Sequence, residues 1–378
     1  MKKLLFLLLA LLLLGSGSAF AEFDDEEDDL LIEEIIEEVV TEKKEVLDTD
    51  GSSILTITCT GDFTIGGDSR KRKNIFEDEL KAQGGDINFI MQNMRDILTD
   101  DDMTLVNFEG TLTDSTYVPS NKRDNQFLFS APPSYVSVLK DNGIEAVSLE
   151  NNHIMDHGEE VYEETQQHLE DAGVVWSNSE HMGVYEVKGI QIAMLSYLCI
   201  DRYDQLWDKV PADIAEAKAA YPLVIVSFHW GKEPTSSNPQ QGYIPTDNQI
   251  RLGRMAVDAG ADLVVGTHSH RIQPIECYNN KYILYSLGNF CFAGNSKPRD
   301  MSSIIFQIRY RVKNGEVSFR DFRVIPIRIS SVKERNDLVP WIFPDGYDRD
   351  SVLLTLKGNT ENDSRLSWGV TDYPLEFQ

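Results

Sequence analysis

Two histidines separated by one residue, His268 and His270, directly follow the apolar run ADLVV at 261–265. The chain has only seven histidines, and imidazole is a common metal ligand at neutral pH. If the end of this strand stays extended, side-chain alternation puts both histidines on the same side, so that one could face each of two metal ions. Taken alone, the stretch could also be a polar loop that happens to hold two histidines.

Ligand-type side chains follow four other apolar strand-type runs as well. The five strand ends carry, in chain order, Asp62; Asn107 and Glu109; Asn151, Asn152 and His153; His229; and His268 and His270. In an open α/β sheet, sites form beyond the carboxyl ends of the strands, so the five ends can converge on one cavity. Carboxylate, amide and imidazole ligands suit Zn, Mn or Fe without a thiolate. A carboxylate such as Glu109 can bridge two ions about 3.5–4 Å apart, the usual arrangement for activating water and holding a phosphoryl group.

Each of these residues also has a purely structural interpretation when it is considered alone. Asp62 follows a glycine and could be a turn residue, and Glu109 could belong to a solvated strand end. Asn152 could cap the helix that follows, and His229 could be a packed, hydrogen-bonded histidine beside Trp230. The joint pattern at five strand ends favours a site over these separate explanations.

The elements that must position these residues alternate between helices and strands. Helical patterns cover 87–98 (with Asp86 as a possible N-cap), 133–143, 158–173, a segment near 212–220, and 247–260. Antiparallel hairpins are predicted to turn at Lys188-Gly189, Asn279-Asn280 and Asn314-Gly315. This pattern predicts an α/β fold, a layered sandwich with mixed central sheets flanked by helices.

The chain ends differ in composition from the predicted domain at 53–331. Residues 1–21 are typical of a secretory signal ending in Ala19-Phe20-Ala21, or of a membrane anchor if cleavage fails. The strongly acidic segment 22–52 is predicted to be a linker or stalk, and mixed signals in 332–378 indicate a C-terminal appendage. The net charge of −27 argues against nucleic acid as a partner. We therefore expect an extracytoplasmic protein, secreted or anchored at the outer face of the cytoplasmic membrane, with membrane contact only through the N-terminal segment.

Six short motifs occur in a characteristic order: GD at 61–62, NFEGTLT at 107–113, NNHIMDHG at 151–158, FHWGKE at 228–233, GTHSH at 266–270 and YSLGNF at 285–290. In this order they resemble the CapA/PgsA family of bacterial capsule and poly-gamma-glutamate synthesis proteins, which is similar in fold to the calcineurin-like metallophosphatases. The resemblance covers roughly residues 54–326.

The resemblance also implies a role for each site residue. Asp62 and His270 would bind a first metal; Asn152, His229 and His268 would bind a second; and Glu109 would bridge the two. His153 would protonate the leaving group or stabilise the transition state, and Glu233 is a further candidate for contact with substrate or metal ligands. The first metal has fewer ligands than in the phosphatases, because Thr64 stands where they carry histidine. We therefore expect one or two divalent ions (Mn, Zn or Fe).

The leading hypothesis is a metal-dependent, phosphoesterase-like hydrolase of capsule or cell-envelope polymer biosynthesis. Its substrate would be the envelope polymer or a phosphoester, and its partners would be membrane-bound synthase subunits. The alternative is a non-catalytic assembly or export factor that binds metal or polymer with the same cavity. A sugar- or peptide-binding module is a third possibility, but it leaves the histidines without a role.

Overall fold

A computed structural model describes residues 47–68, 70–71, 73–119, 127–200 and 203–378. The predicted signal segment and residues 22–46 of the predicted linker lie outside these ranges. Among the described residues, no helix combines the length and apolar character needed to cross a bilayer. The first strand of the domain begins at Ser53, where the apolar pattern of the sequence also begins.

The described residues form sixteen strands, seven α-helices and three short 3₁₀ helices. The strands are β1 (Ser53–Thr64), β2 (Met103–Phe108), β3 (Thr111–Leu112), β4 (Ser130–Ala131), β5 (Ala146–Ser148), β6 (Val175–Ser177), β7 (Gly183–Val187), β8 (Ile190–Cys199), β9 (Leu223–Trp230), β10 (Leu263–Thr267), β11 (Ile275–Tyr278), β12 (Lys281–Leu284), β13 (Asn289–Phe292), β14 (Ser302–Lys313), β15 (Glu316–Arg328) and β16 (Trp341–Ile342). The α-helices are α1 (Ile75–Ala82), α2 (Arg95–Asp100), α3 (Ser137–Lys140), α4 (Glu159–Asp171), α5 (Leu206–Ala220), α6 (Asp247–Ala259) and α7 (Tyr347–Glu361). The 3₁₀ helices are Ile87–Met91, Pro133–Val136 and Gln241–Tyr243.

Two mixed sheets form the centre of the fold. The first has the order β16-β15-β14-β1-β2-β5-β6, with β13 also paired to β1, and the second has the order β11-β12-β10-β9-β8-β7. Strands β1, β2, β5 and β6 run parallel in the first sheet, as do β8, β9, β10 and β12 in the second. Antiparallel strands complete the edges of both sheets. The predicted layered α/β sandwich with mixed sheets is therefore confirmed.

One hydrophobic core lies between the sheets, and side-chain alternation places the site at its end. On β9, Leu223 and Ile225 join the core between the sheets, whereas Val224 and Val226 face α5 and α6 on the outside. The same alternation brings His229 onto the inner face at the carboxyl end of the strand. Full burial of each such aliphatic side chain contributes about 1.5–3 kcal/mol, so the framework of the site is strongly held.

The hairpins form where their turn residues predict them. Lys188 and Gly189 have φ values of 51° and 69°, the left-handed backbone that joins β7 to β8. The Asn279-Asn280 and Asn314-Gly315 turns also have positive φ values and join β11 to β12 and β14 to β15.

The single helix predicted over 87–98 is wrong, because the chain instead forms the 3₁₀ helix Ile87–Met91 followed by α2. Asp86 does cap the first of these, accepting a hydrogen bond from the backbone N–H of Asn88 at 2.9 Å. Phe89, Ile90 and Met91 are consecutive and all buried, which one face of a surface α-helix cannot provide.

The C-terminal segment, which the sequence presents as an appendage from 332, packs within the compact unit Leu47–Gln378. Strand β16 pairs with β15, and Val352 and Leu356 of α7 are buried in the core between the sheets. The sequence signal is weak here because β16 has only two residues and the connecting loops are irregular.

Candidate metal centre

The five predicted strand ends meet at one edge of the two sheets. Asp62 on β1 is paired in register with Asn107 on β2, and Thr267 at the end of β10 is paired with His229 on β9. The chain approaches itself closely here, because a Cβ at Gly61 would lie 1.9 Å from the carbonyl oxygen of Gly288. Glycine before Asp62 therefore lets Gly288 and strand β13, which begins at Asn289, pack against β1.

One group of ligand-type side chains contains Asp62, Glu109 and His270. Their ligand atoms all lie within 4.8 Å of one another. The His270 Nδ1 atom lies 3.1 Å from Asp62 Oδ2 and 2.8 Å from Asn289 Oδ1. Both carboxylates are buried, at 0% and 1% exposure for Asp62 and Glu109 respectively. These are residues that the sequence resemblance assigns to the first metal, and the structure brings their side chains together.

A second group contains Asn152, His229 and His268. The Nε2 atom of His229 lies 2.7 Å from Asn152 Oδ1 and 3.1 Å from His268 Nδ1. The Oε1 atom of Glu109 lies 3.9 Å from the same Nε2 atom, so this carboxylate stands between the two groups. Within the described residues this buried oxygen has no hydrogen-bond partner. A buried acceptor without a partner is costly, so the donor set and this oxygen fit a bound cation.

The protonation of the histidines follows from burial and from their neighbours. Burial and the adjacent imidazoles hold the pKa of His229 well below its usual range, and burial together with His270 lowers the pKa of His268 to about 4. These two rings are therefore neutral at pH 7 and can offer a lone pair to a metal.

In the first group, the charges of the two carboxylates determine the protonation of His270. Burial opposes the charged form of His270, but Glu109 and Asp62 together raise the pKa of His270 to about 10. Burial, with the neighbouring Asp62, raises the pKa of Glu109 to about 7. Two carboxylates held this close in a buried site are stabilised by a positive charge between them.

The backbone of the histidine loop corrects one expectation. Strand β10 ends at Thr267, and His268 and His270 have φ values of 93° and 52°, so the segment is not extended. Both rings still point into the site, one toward His229 and the other toward Asp62. Positive φ at residues other than glycine costs about 1–3 kcal/mol each and is typical of functional sites.

His153 lies beside the two groups without belonging to either of them. Its Nδ1 atom is 2.6 Å from Asp156 Oδ2, and its Nε2 atom is 3.9 Å from Glu109 Oε1. Burial disfavours the charged ring, but the hydrogen bond to Asp156 and the charge of Glu109 outweigh it and raise the pKa of His153. The ring also packs on Phe129, with 4.6 Å between the ring centroids. The Nε2 atom of His153 therefore faces Glu109, beside the two groups.

The site opens into a cavity of about 640 Å³ whose lining includes His153, His270, Asn289 and Glu233. Glu233 is exposed and lies on the cavity wall rather than within either group of ligand-type residues. The structure therefore brings seven of the eight predicted site residues into one cluster and places the eighth, Glu233, beside it.

Sequence reasoning did not assign site roles to several residues that support this cluster. Asn107 donates a hydrogen bond to Asp62 Oδ1 at 2.8 Å, and its Nδ2 atom lies 3.2 Å from His229 Nδ1. The Oγ1 atom of Thr267 lies 3.0 Å from the same ring nitrogen. A signal was present in two cases: Asn107 is two residues from Glu109 along the chain, and Asp156 is three residues from His153.

Comparison with known proteins places this chain in a family. A family model described as "Bacterial capsule synthesis protein PGA_cap" matches residues 56–294, a range that includes every residue of the cluster. The PGA biosynthesis protein CapA of Bacillus subtilis is 30% identical over 352 residues, covering 87% of this chain and 83% of that protein. The capsule biosynthesis protein CapA of Bacillus anthracis is 25% identical over 350 residues, covering 86% and 77%. A solved structure, the calcineurin-like phosphoesterase YfkN from Bacillus subtilis, aligns with 82% of this chain and 98% of its own at 13% identity and a TM-score of 0.43. The chain belongs to the bacterial capsule synthesis protein family PGA_cap.

Proposed function

We propose that this protein is a metal-dependent hydrolase of the phosphoesterase type that acts in capsule or cell-envelope polymer synthesis. One observation carries the proposal: two groups of ligand-type side chains share Glu109, with His153 beside them, at the floor of an open cavity. Metal ligands, a proton donor and space for a substrate are the components that hydrolysis of a phosphoester requires.

The two groups would hold the ions with side chains of this chain alone. Asp62 and His270 would ligate the first ion, and Asn152, His229 and His268 the second, with Glu109 between them. Divalent metal ions bound there would polarise the substrate and lower the pKa of a bound water. Asn107 and Thr267 fix the His229 ring through its Nδ1 atom, which leaves Nε2 directed toward Asn152 and Glu109.

His153 would supply the proton that the leaving group needs. Asp156 holds Nδ1 of the ring, so Nε2 is the atom that faces Glu109 and the cavity. When water attacks the phosphorus atom, the bond to the leaving oxygen breaks, and that oxygen takes the proton from Nε2 of His153. The proton that the attacking water loses would pass to solvent, and solvent would return a proton to the His153 ring. A positioned general acid of this kind typically contributes about 100- to 10,000-fold to the rate.

The place of action is part of the proposal. The names of the relatives, a PGA biosynthesis protein and a capsule biosynthesis protein, support a role in making an envelope polymer. The composition of residues 1–21 supports export, with the domain secreted or tethered at the outer face of the cytoplasmic membrane next to membrane-bound synthase subunits.

Metal content and hydrolysis test the proposal together. Purified protein should contain at least one transition metal ion per chain and should hydrolyse bis(p-nitrophenyl) phosphate. His229→Ala should lose both properties, and the control His181→Ala should retain them because His181 stacks on Trp176 outside the cluster. Protein that stays metal-free after reconstitution with Mn or Zn would contradict the proposal. Metal without any phosphoester turnover would favour the non-catalytic assembly factor.

A further inference from the structure

The turn 292–296, directly after β13, forms part of the wall of the cavity at the candidate metal centre. Three of its residues line that cavity: Phe292, Gly294 and Asn295. The Phe292 ring packs on the His270 ring, with 4.9 Å between centroids, and on the Phe129 ring, with 6.1 Å. Phe129 also packs on His153. The turn therefore borders a proposed metal ligand directly and the proposed proton donor through one further ring.

The backbone of the turn lies directly against these rings. A Cβ at Gly294 would lie 2.5 Å from Cζ of Phe292 and 3.0 Å from Cζ of Phe129. Close-packed interiors transmit displacements from one group to the next. A shift of the turn would therefore move the Phe292 ring and change its packing on His270.

Asn336, from the C-terminal segment, holds the turn through its hydrogen bonds. Its side-chain amide donates to the carbonyl oxygens of Phe292 at 2.8 Å and Asn295 at 3.2 Å. Its backbone N–H donates to the carbonyl oxygen of Ser296 at 2.9 Å. Its Oδ1 atom accepts a hydrogen bond from the backbone N–H of Leu338 at 3.0 Å. Asn336 is 1% exposed, so loss of its side chain would leave buried carbonyl groups without these donors.

The backbone next to Asn336 is strained. In the part of the chain that the structure describes, seven residues other than glycine have positive φ values. Four of them lie in the three hairpin turns, two are His268 and His270, and the seventh is Leu338, with a φ of 63°. Leu338 is fully buried in the hydrophobic core. Such a conformation persists only where the surrounding structure requires it, and here it accompanies the hydrogen bond to Asn336.

We propose that Asn336 is a positioning residue for the metal centre, because it fixes the turn and thereby keeps the His270 ring directed toward Asp62. The inference rests on the proposed function for the role of His270 as a metal ligand. Asn336 lies outside residues 56–294, the range that the family model matches, so the family match gives it no role.

Ring ¹⁵N NMR of the histidines in the full-length, metal-free protein tests this positioning directly. Asn336→Ala should shift the His270 signal, which is assigned by its loss in His270→Ala, because release of the turn changes the packing on that ring. The His181 signal should not move, since His181 stacks on Trp176 outside the cluster. The milder variant Asn336→Ser keeps one hydrogen-bonding group and should shift the His270 signal in the same direction by a smaller amount.

The matched control is Asn142→Ala. Asn142 is also 1% exposed, and its side chain also donates two hydrogen bonds, to Asn88 Oδ1 at 2.6 Å and to the carbonyl oxygen of Val138 at 2.8 Å. It is not among the residues that line the cavity. The control should lower the melting temperature as Asn336→Ala does, yet leave the His270 signal in place.

Titration with Mn²⁺ gives a second measurement. Asn336→Ala should bind one ion about tenfold more weakly than the wild type, the size of effect that is typical when a group that orients a metal ligand is lost. Asn142→Ala should bind Mn²⁺ as the wild type does, because its lost hydrogen bonds do not reach the cluster.

Two results would overturn the positioning role: a His270 signal that moves no further in the Asn336 variants than in Asn142→Ala, or equal Mn²⁺ affinities of Asn336→Ala and the wild type. Failure of the hydrolase proposal is a separate outcome. A wild type that binds no Mn²⁺ and turns over no phosphoester would refute that proposal, and the ring signals of the metal-free protein would still decide whether Asn336 positions His270.

Discussion

Replacing His153 by alanine separates proton transfer from metal binding. The ring belongs to neither group of ligand-type side chains, and its Nε2 atom lies 3.9 Å from Glu109 Oε1. The substitution should therefore leave the metal content unchanged while it removes the proposed proton donor. Asn152→Ala, one residue earlier, should have the opposite effect on metal, because the Asn152 amide oxygen lies 2.7 Å from His229 Nε2 within the second group.

The expected size of the effect follows from the geometry. Loss of a positioned general acid costs about 100- to 10,000-fold in rate, which corresponds to about 3–5 kcal/mol in activation free energy. The cost to folding should be smaller. The side chain is 14% exposed, and Asp156 keeps its hydrogen bond from the backbone N–H of Phe129 after the ring is lost. We expect a loss of about 1–3 kcal/mol in the free energy of unfolding, from the weakened buried hydrogen bonding.

The assay measures turnover of bis(p-nitrophenyl) phosphate, metal content and melting temperature for the wild type, His153→Ala and the control His181→Ala. The control removes a histidine of the same size that packs on Trp176 away from the site, with 4.0 Å between ring centroids. Turnover of His153→Ala within about fivefold of the wild type at equal metal content would refute the assignment of His153 as the acid. In cells, normal polymer output from His153→Ala, combined with no turnover in vitro, would replace the catalytic role by an assembly role.

Three further predictions concern stability. Mn²⁺ or Zn²⁺ at about 100 times its dissociation constant should raise the free energy of unfolding by about 2.7 kcal/mol. A thermal scan should show that His268→Ala loses this stabilisation by metal. Equal stabilisation of the variant would contradict the proposed metal site. Gly266→Ala places a Cβ 2.2 Å from the carbonyl oxygen of Tyr285 and should lower the free energy of unfolding, measured with denaturant, by about 1–3 kcal/mol. The control Gly358→Ala, whose Cβ would come no closer than 4.0 Å to any atom beyond its chain neighbours and the backbone of its own helix, should not lower it. Equal denaturation midpoints for the two variants would contradict this packing argument. Removal of residues 22–50 should leave the melting temperature nearly unchanged, because the ion pairs of Asp50 with Arg311 and Lys313, in the described part of that segment, are exposed. A large decrease would show that the acidic segment supports the core.

The sequence by itself determined the framework of the site. Side-chain alternation along apolar strands is a local property, so the inward position of His229 and the clustering of polar residues at strand ends follow from pattern alone. Turn chemistry is equally local, and the Lys188-Gly189 and Asn314-Gly315 hairpins form where the residues predict them. The ordered motifs also predicted which residues belong to each ligand group, because they carry a resemblance that no single strand contains.

Only the tertiary structure decided how these residues are grouped. Glu109 stands between the two groups because β2 of one sheet and β9 of the other end at the same edge, a contact between residues 120 positions apart that no local pattern encodes. His268 and His270 adopt left-handed backbone instead of the extended end that alternation predicts, and their rings meet His229 and Asp62, which are distant in sequence. A cavity between the segment 232–246 and the end of α7 likewise exists only because the two pack side by side, and the sequence presents that helix as part of an appendage. Local periodicity therefore specified which side chains face inward, whereas pairing across the two sheets specified which of them meet.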